Sequence, residues 1–279
     1  MAADPDANPR LPLTRDRVLE AAIRLADEGG IESLTMRKLA GELGVEAMSL
    51  YNHVANKGDL VAAMVDLVVA EIELPSAGEE WDVDIRTCAV SAHEALLRHP
   101  WACSLVLSPG TMRSLPTPRL RYMEWLLKRL REAGFSSELT YHAYHTLDSH
   151  ILGFTLWQLG HAISPKELGG GDLADLVERF LRELPGTEYP YLAEHARQHV
   201  AAPSDDGARE FEFGLDLILD GLKRLSQAPN LPTWVRTRGK AVCDLLSEQV
   251  TGGRWPTSAR REFPLRFATR RGPLDPAWL

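Results

Sequence analysis

Residues 34–57 read LTMRKLAGELGVEAMSLYNHVANK, and this stretch decides how the N-terminal part of the chain folds. Thr35 stands where a helix N-cap is needed, its hydroxyl placed to accept an otherwise unpaired backbone N–H. Leu34 before it and Leu39 after it form the pattern of a hydrophobic staple, which sets the angle of approach to the helix. Met36, Leu39, Ala40 and Leu43 then recur at helical spacing. Gly44 lacks a Cβ and is able to end the helix in the left-handed conformation. Val45 plugs the turn, and Ala47 to Val54 provides about two turns of a second helix. Helix, tight turn, helix is the arrangement that reads the DNA major groove. Leu39, Leu43, Val45, Leu50 and Val54 are expected to pack beneath it.

The neighbouring segments follow the same period. Thr14 is placed to cap a helix through about Glu28, with Val18, Ala21, Ala22 and Leu25 as its apolar stripe and Gly29-Gly30 as its stop. Asn56 is placed to cap a third helix from Lys57 to about Glu73, with Asp59 at the capping-box position and Leu60, Met64, Leu67 and Val68 on one side. Leu74-Pro75-Ser76-Ala77-Gly78 ends it and marks a domain boundary at a corner. Helical spacing continues at about 82–98, 101–107, 115–133, 137–163, 172–184 and 207–227, with no alternating strand. Pro and Gly fill the gaps, and 185–206 is expected to be the least ordered of them.

Composition bounds what such a chain does. Its 279 residues, 44% hydrophobic and 25% charged, suffice for one large or two smaller domains with a sizeable core. No apolar run approaches the roughly 20 residues that span a bilayer, so no membrane partner is expected. The N-terminal MAADPDANPRLPL is polar and Pro-rich, so no secretory signal is expected. Cys88, Cys103 and Cys243 stand far apart with no CxxC spacing, and a cytoplasmic location is expected. A net charge of −8 argues at first sight against a nucleic-acid partner. Local charge decides, however, because screening cuts interactions beyond roughly 10 Å at 0.1 M salt. Arg15, Arg17, Arg37, Lys38 and Lys57 are able to share one face, and the acidic total predicts strongly salt-sensitive binding. No GxSxG, P-loop or dinucleotide fingerprint appears, so neither catalysis nor a cofactor is expected.

The tail, 229–279, carries Arg236, Arg238, Lys240, Arg254, Arg260, Arg261, Arg266, Arg270 and Arg271. A short helix near 234–249 is expected there, and otherwise no fixed structure.

Residues 14–75 resemble the DNA-binding domain of the tetracycline-repressor (TetR) family of bacterial transcriptional regulators. The carriers are LTMRKLAGELGV, then SLYNHV, then NKGDL at the head of the following helix. The remainder to about 228 is similar to that family's ligand-binding domain, on LLRHPW at 96–101, LDSHILGFTLWQLG at 147–160 and FEFGLDLILDGL at 211–222. The resemblance implies an all-α chain. A three-helix helix-turn-helix domain, 14–75, would precede a larger helical ligand-binding and dimerisation domain, 76–228; residues 1–13 are expected to be disordered, and the basic, largely disordered extension 229–279 has no counterpart in the family.

It also implies roles that the chemistry supports. Thr35 and Arg37 open the first reader helix close to the DNA backbone, and the Arg37 fork matches O6 and N7 of guanine. Ala47, Met48 and Ser49 face base edges. Members of the family often carry a polar residue or proline at the first two of these positions, whereas Ala47-Met48 offers apolar contact suited to thymine methyl groups. Tyr51, His53 and Lys57 hold phosphates, and Asn52 reaches a base or a phosphate. Two copies are implied, joined through Tyr144, Leu147, Ile151, Thr155 and Leu159 on one helix and Phe211, Leu215, Ile218, Leu222 and Leu225 on another. The other use of both stripes is the protomer's own core.

A pocket for a small hydrophobic or amphipathic effector is expected between the helices of the second domain, with His93, Trp101, Met112, His142, His145 and Trp157 in its walls. His142, His145 and Asp148, or His195 and His199, have spacings open to a metal, but neither set matches HExxH and no metal is expected. The reading is a dimeric regulator, expected to repress, on a palindromic operator of double-stranded DNA. A non-specific architectural DNA binder and a helical small-molecule enzyme are the alternatives.

Overall fold

Polar caps start the helices of the N-terminal part. Thr14 accepts from the Arg17 N–H over 3.3 Å at the head of α1 (Arg15–Gly29). Thr35 accepts from Lys38 over 3.1 Å at the head of α2 (Met36–Leu43), and Asn56 from Asp59 over 3.0 Å at the head of α4 (Lys57–Ala70). Each answers a donor that a helix start leaves open. The structure, a computed structural model, describes residues 12–76, 78, 80–106, 108, 117–161, 173–185, 188–201 and 206–228. The expected tail helix near 234–249, Met112 and residues 1–11 lie outside them.

Gly44 ends α2 at φ 65° and ψ 33°, in the left-handed region. Its N–H donates to the Gly41 carbonyl over 3.2 Å while that of Val45 reaches Ala40 over 3.0 Å, the paired bonds that close a helix C-terminus. α3 then covers only Ala47–Leu50. Tyr51, Asn52 and His53 each bond three residues back, so the two-turn helix expected to reach Val54 is one α-turn followed by tighter turns. A helix running to Val54 would leave Ala55 alone to make the corner before Asn56, whose backbone is extended at φ −164° and ψ 175°.

In α4 the buried residues are Leu60, Ala62, Met64, Val65, Val68 and Val69. Leu67, expected with them, is 40% exposed, because the stripe follows steps of four residues and drifts past it. The helix ends at Ala70, short of Glu73.

Among the described residues seven further helices follow: α5 (Trp81–Arg98), α6 (Pro100–Cys103), α7 (Pro118–Glu132), α8 (Ser137–His161), α9 (Leu173–Glu183), α10 (Pro190–Ala201) and α11 (Asp206–Gln227). The described residues hold no strand, and the fold is all-α. α10 falls in the stretch expected to be least ordered; Pro190 suits the first turn of a helix, where no N–H is needed. α8 packs against α5, α6, α7 and α11, and α4 packs against α1, α5 and α7. Leu126, Leu130, Leu147, Phe211 and Leu215 fill the larger core, and Val18, Leu25, Leu39, Leu50 and Met64 the smaller. No described helix is long and apolar enough to cross a membrane.

The corner after α4 is held from both sides. The Glu73 N–H donates to Ser91 Oγ over 2.9 Å, and the Trp125 indole donates to the Pro75 carbonyl over 3.0 Å. The Gly78 N–H and the buried Arg129 both donate to one carboxylate oxygen of Asp84, itself buried. Satisfying that oxygen twice offsets the desolvation of the pair.

Candidate nucleic-acid interface and effector cavities

The reader turns its apolar side inward and its reactive side out. Leu34, Leu39, Leu50 and Val54 are buried, while Leu43 and Val45 are half-buried. Met48 is 73% exposed and Tyr51 45%; Thr35, Arg37, Asn52 and Lys57 are exposed too, and Ala47, Ser49 and His53 half-buried. The Thr35 hydroxyl accepts within the cap, which leaves its own proton to donate outward. Arg24 bonds Glu42 over 3.0 Å and ties α1 to α2. The surface thus presents a guanidinium, an ammonium, a phenol, an amide and an uncharged thioether on a turn braced from behind.

A polar cluster joins this unit to the helices that follow. His99 Nδ1 lies 2.9 Å from Asp27 Oδ1 of α1, and its Nε2 lies 3.1 Å from Glu71 Oε1 just past α4. Both contacts end on carboxylates, which only accept. The Trp101 indole donates to the same Asp27 oxygen over 2.7 Å, and Arg98 to Glu71 over 2.8 Å.

Behind it, a cavity of about 30 Å³ lies between α4, α5, α7 and α8. Val68, Val69, Ala95 and Ile151 give it apolar walls, and Arg119, Tyr122 and Asp148 bring polar groups to it. Arg119 is buried, donates to the Val106 carbonyl over 2.8 Å and stands 3.8 Å from Asp66. The Tyr122 hydroxyl donates to Asp148 over 3.5 Å. Burial raises the pKa of Asp148, against the lowering effects of Tyr122, His145 and Tyr144. Burial likewise raises that of Asp66, with Arg119 opposing. None of these polar residues was assigned to a pocket from the sequence; Arg119 sits in PRLRYMEW and reads there like a solvated arginine.

A second cavity, about 190 Å³, lies between α5, α8 and α11 and includes His93 in its lining. The other expected wall residues stand elsewhere. Trp101 serves the junction with α1, His145 and Trp157 are exposed, His142 is half-buried, and Met112 lies outside the described residues. Among the described residues no group of three His, Cys, Asp or Glu side chains is arranged to hold a metal ion.

Six of the ten side chains expected to join two copies face inward. Leu147, Ile151 and Thr155 of α8 and Phe211, Leu215 and Leu222 of α11 are buried within the protomer, and Tyr144, Leu159, Ile218 and Leu225 are half-buried. α8 and α11 pack on each other and on α5, and that packing takes the six buried side chains into the protomer's own core. The same helices expose another apolar set, with Leu156 and Trp157 on α8 and Phe213 and Leu217 on α11, the last two 63% and 57% exposed.

Comparison with known proteins agrees with this architecture. Residues 18–64 match the family described as "Bacterial regulatory proteins, tetR family", and residues 74–226 match "Tetracyclin repressor-like, C-terminal domain". The chain is 31% identical over 231 residues to the HTH-type transcriptional repressor DrrR1 of Streptomyces coeruleorubidus, spanning 79% of this chain and 81% of that one. It is 33% identical over 214 residues to the tetracycline repressor protein class D of Escherichia coli, spanning 76% and 89%. The crystal structure of ActR from Streptomyces coelicolor in complex with actinorhodin aligns at a TM-score of 0.58 and 29% identity, over 78% of this chain and 100% of that one. With a helix-turn-helix in front and a tetracycline-repressor-like helical domain behind, the chain belongs to the TetR family of DNA-binding, ligand-responsive transcriptional regulators.

Proposed function

We propose that this regulator represses transcription as a homodimer on a palindromic operator and releases it when a small hydrophobic or amphipathic effector binds. One observation carries the reading. α4 has the reader's Lys57 at one end and Val68 and Val69, in the wall of the 30 Å³ cavity, at the other. A cavity of that size holds about one water, so an effector requires α4, α5, α7 and α8 to stand further apart. Moving α4 moves the reader attached to it.

Residues 14–75 form the reading part in this proposal and 76–228 the effector and dimer part, with 1–13 and 229–279 as extensions. Arg37, Ala47, Met48 and Ser49 face base edges, while Thr35, Tyr51, His53 and Lys57 hold phosphates and Asn52 serves either. The two reading turns of a dimer must stand roughly 34 Å apart, one DNA turn, or a multiple of it. An effector that fits only the other spacing shifts the population, and switching from 99:1 to 1:99 needs roughly 5.5 kcal/mol of differential affinity. The protein acts in the cytoplasm, without a cofactor or catalytic step.

Selection of bound sequences from a random DNA pool, followed by footprinting, tests this. A protected palindrome is expected, with Arg37→Ala and Tyr51→Ala each weakening it about tenfold or more, the loss of one good base or phosphate contact. Sedimentation should leave both variants dimeric. Full-strength binding by both variants, or protection without sequence preference, overturns the proposal.

A further inference from the structure

Two acids stand within residues 34–57, Glu42 and Glu46. Arg24 holds Glu42 across 3.0 Å, and the next acid along the chain, Asp59, accepts from the Asn56 amide over 3.0 Å. Glu46 has no such anchor. It is exposed, its side chain makes no capping bond to α3, and that side chain forms no hydrogen bond or ion pair among the described residues. Its backbone is fixed all the same, at φ −75° and ψ 142°, and its carbonyl accepts from the Ser49 N–H over 2.9 Å. Val45 before it donates to the Ala40 carbonyl, and Leu50 beyond it is buried. The carboxylate thus has a fixed root and a free head.

In a helix-turn-helix the first residues of the second helix meet the base edges. Glu46 immediately precedes Ala47, the first residue of that helix. DNA is a polyanion, so a carboxylate brought to it is repelled by phosphates and loses water. A donor on a base edge is what offsets this. The major groove offers two kinds, N4–H₂ of cytosine and N6–H₂ of adenine, while guanine and thymine present acceptors there. Adenine sets its N7 acceptor beside the amine, whereas cytosine has no acceptor of its own on that edge. We propose that Glu46 determines operator specificity by accepting from N4–H₂ of one cytosine in each half-site and by repelling guanine and thymine at the same position. This role rests on the operator binding proposed above. Its discrimination comes mainly from the wrong base, against which the carboxylate is desolvated and left without a donor.

The test is selection of bound sequences from a random DNA pool by the full chain and by its Glu46→Ala and Glu46→Gln variants, followed by gel-shift titration of single-base operator changes. Glu46 is exposed and bonded only through its backbone, so both variants keep the fold. The parent is expected to select cytosine at one position of each half-site and to bind about tenfold more weakly when thymine replaces it, the discrimination of one base contact. Glu46→Ala should select the same palindrome with that position relaxed. Glu46→Gln should admit adenine there, because an amide matches its N6 and N7 together. The same palindrome selected with equal stringency by all three proteins overturns this role alone. So does a Glu46→Ala variant that binds every sequence more tightly by one common factor, the mark of a carboxylate that only repels phosphates. No palindrome in the parent's own selection overturns operator binding as proposed, and this role with it.

Discussion

The Trp101 indole donates to Oδ1 of Asp27 over 2.7 Å, joining residues 74 positions apart in the chain. His99 shares that oxygen and reaches Glu71 with its other nitrogen, so one cluster holds the end of α1, the end of α4 and the start of α6. Any rearrangement that carries α4 relative to α5 must work against these bonds. The cluster therefore bears on the stability of the junction and on what an effector must overcome.

Trp101→Phe keeps most of the buried ring and removes the N–H. The bond ends on a carboxylate that is only partly shielded, which places its contribution at about 1–2 kcal/mol. Urea unfolding should show the midpoint falling accordingly with the slope unchanged. An unchanged midpoint would mean that His99 alone suffices to hold Asp27.

Gly44→Ala isolates a backbone effect. No atom lies within 4 Å of the position a Cβ would take, so no clash arises, yet φ at 65° remains unfavourable for any residue with a Cβ. The expected loss is about 1–2 kcal/mol, the cost of one left-handed residue. Operator affinity of the folded protein should stay close to that of the parent, because the Val45–Ala40 and Gly44–Gly41 bonds still set the turn.

Local signals were the legible ones. Thr14, Thr35 and Asn56 cap residues within three positions of themselves, and Gly44 needs only its own backbone, so the reader can be traced in the sequence. What depends on distant partners could not be. α8 and α11 are apolar on more than one side, and only their packing on α5 selects Leu147, Ile151, Phe211 and Leu215 for the core over Leu156, Trp157, Phe213 and Leu217. Trp101 looked like a pocket wall because nothing near it in sequence points to Asp27. Arg119 and Asp148 were hidden for the opposite reason, since charged residues at helical spacing ordinarily face water.

The exposed face of α8 and α11 carries a second expectation. Phe213 and Leu217 lie one helical turn apart and stay open in the protomer, where a dimer interface would cover them. Phe213→Glu and Leu217→Glu should shift the protein to monomer in sedimentation while leaving its helical circular dichroism unchanged. Operator binding should fall with dimerisation, since one reading turn alone contacts too few base pairs. A dimer surviving both changes would assign the interface to another face.

His93 also makes stability depend on pH. Its folded pKa is pushed down to about 4 from an ordinary value near 6.5, chiefly by burial and further by His150, with Gln158 opposing. The unfolded chain takes up a proton as pH falls below 6.5, whereas the folded chain holds His93 neutral until about 4. Stability is therefore fully present above the unfolded value and is lost as pH falls through this window. Between pH 7 and pH 5 the loss from this one residue is about 2 kcal/mol. His93→Phe keeps a ring against Phe211 and removes the titration, so its urea midpoint should change less than that of the parent over the same range. An equal dependence on pH in the two proteins would show that His93 does not carry the acid sensitivity.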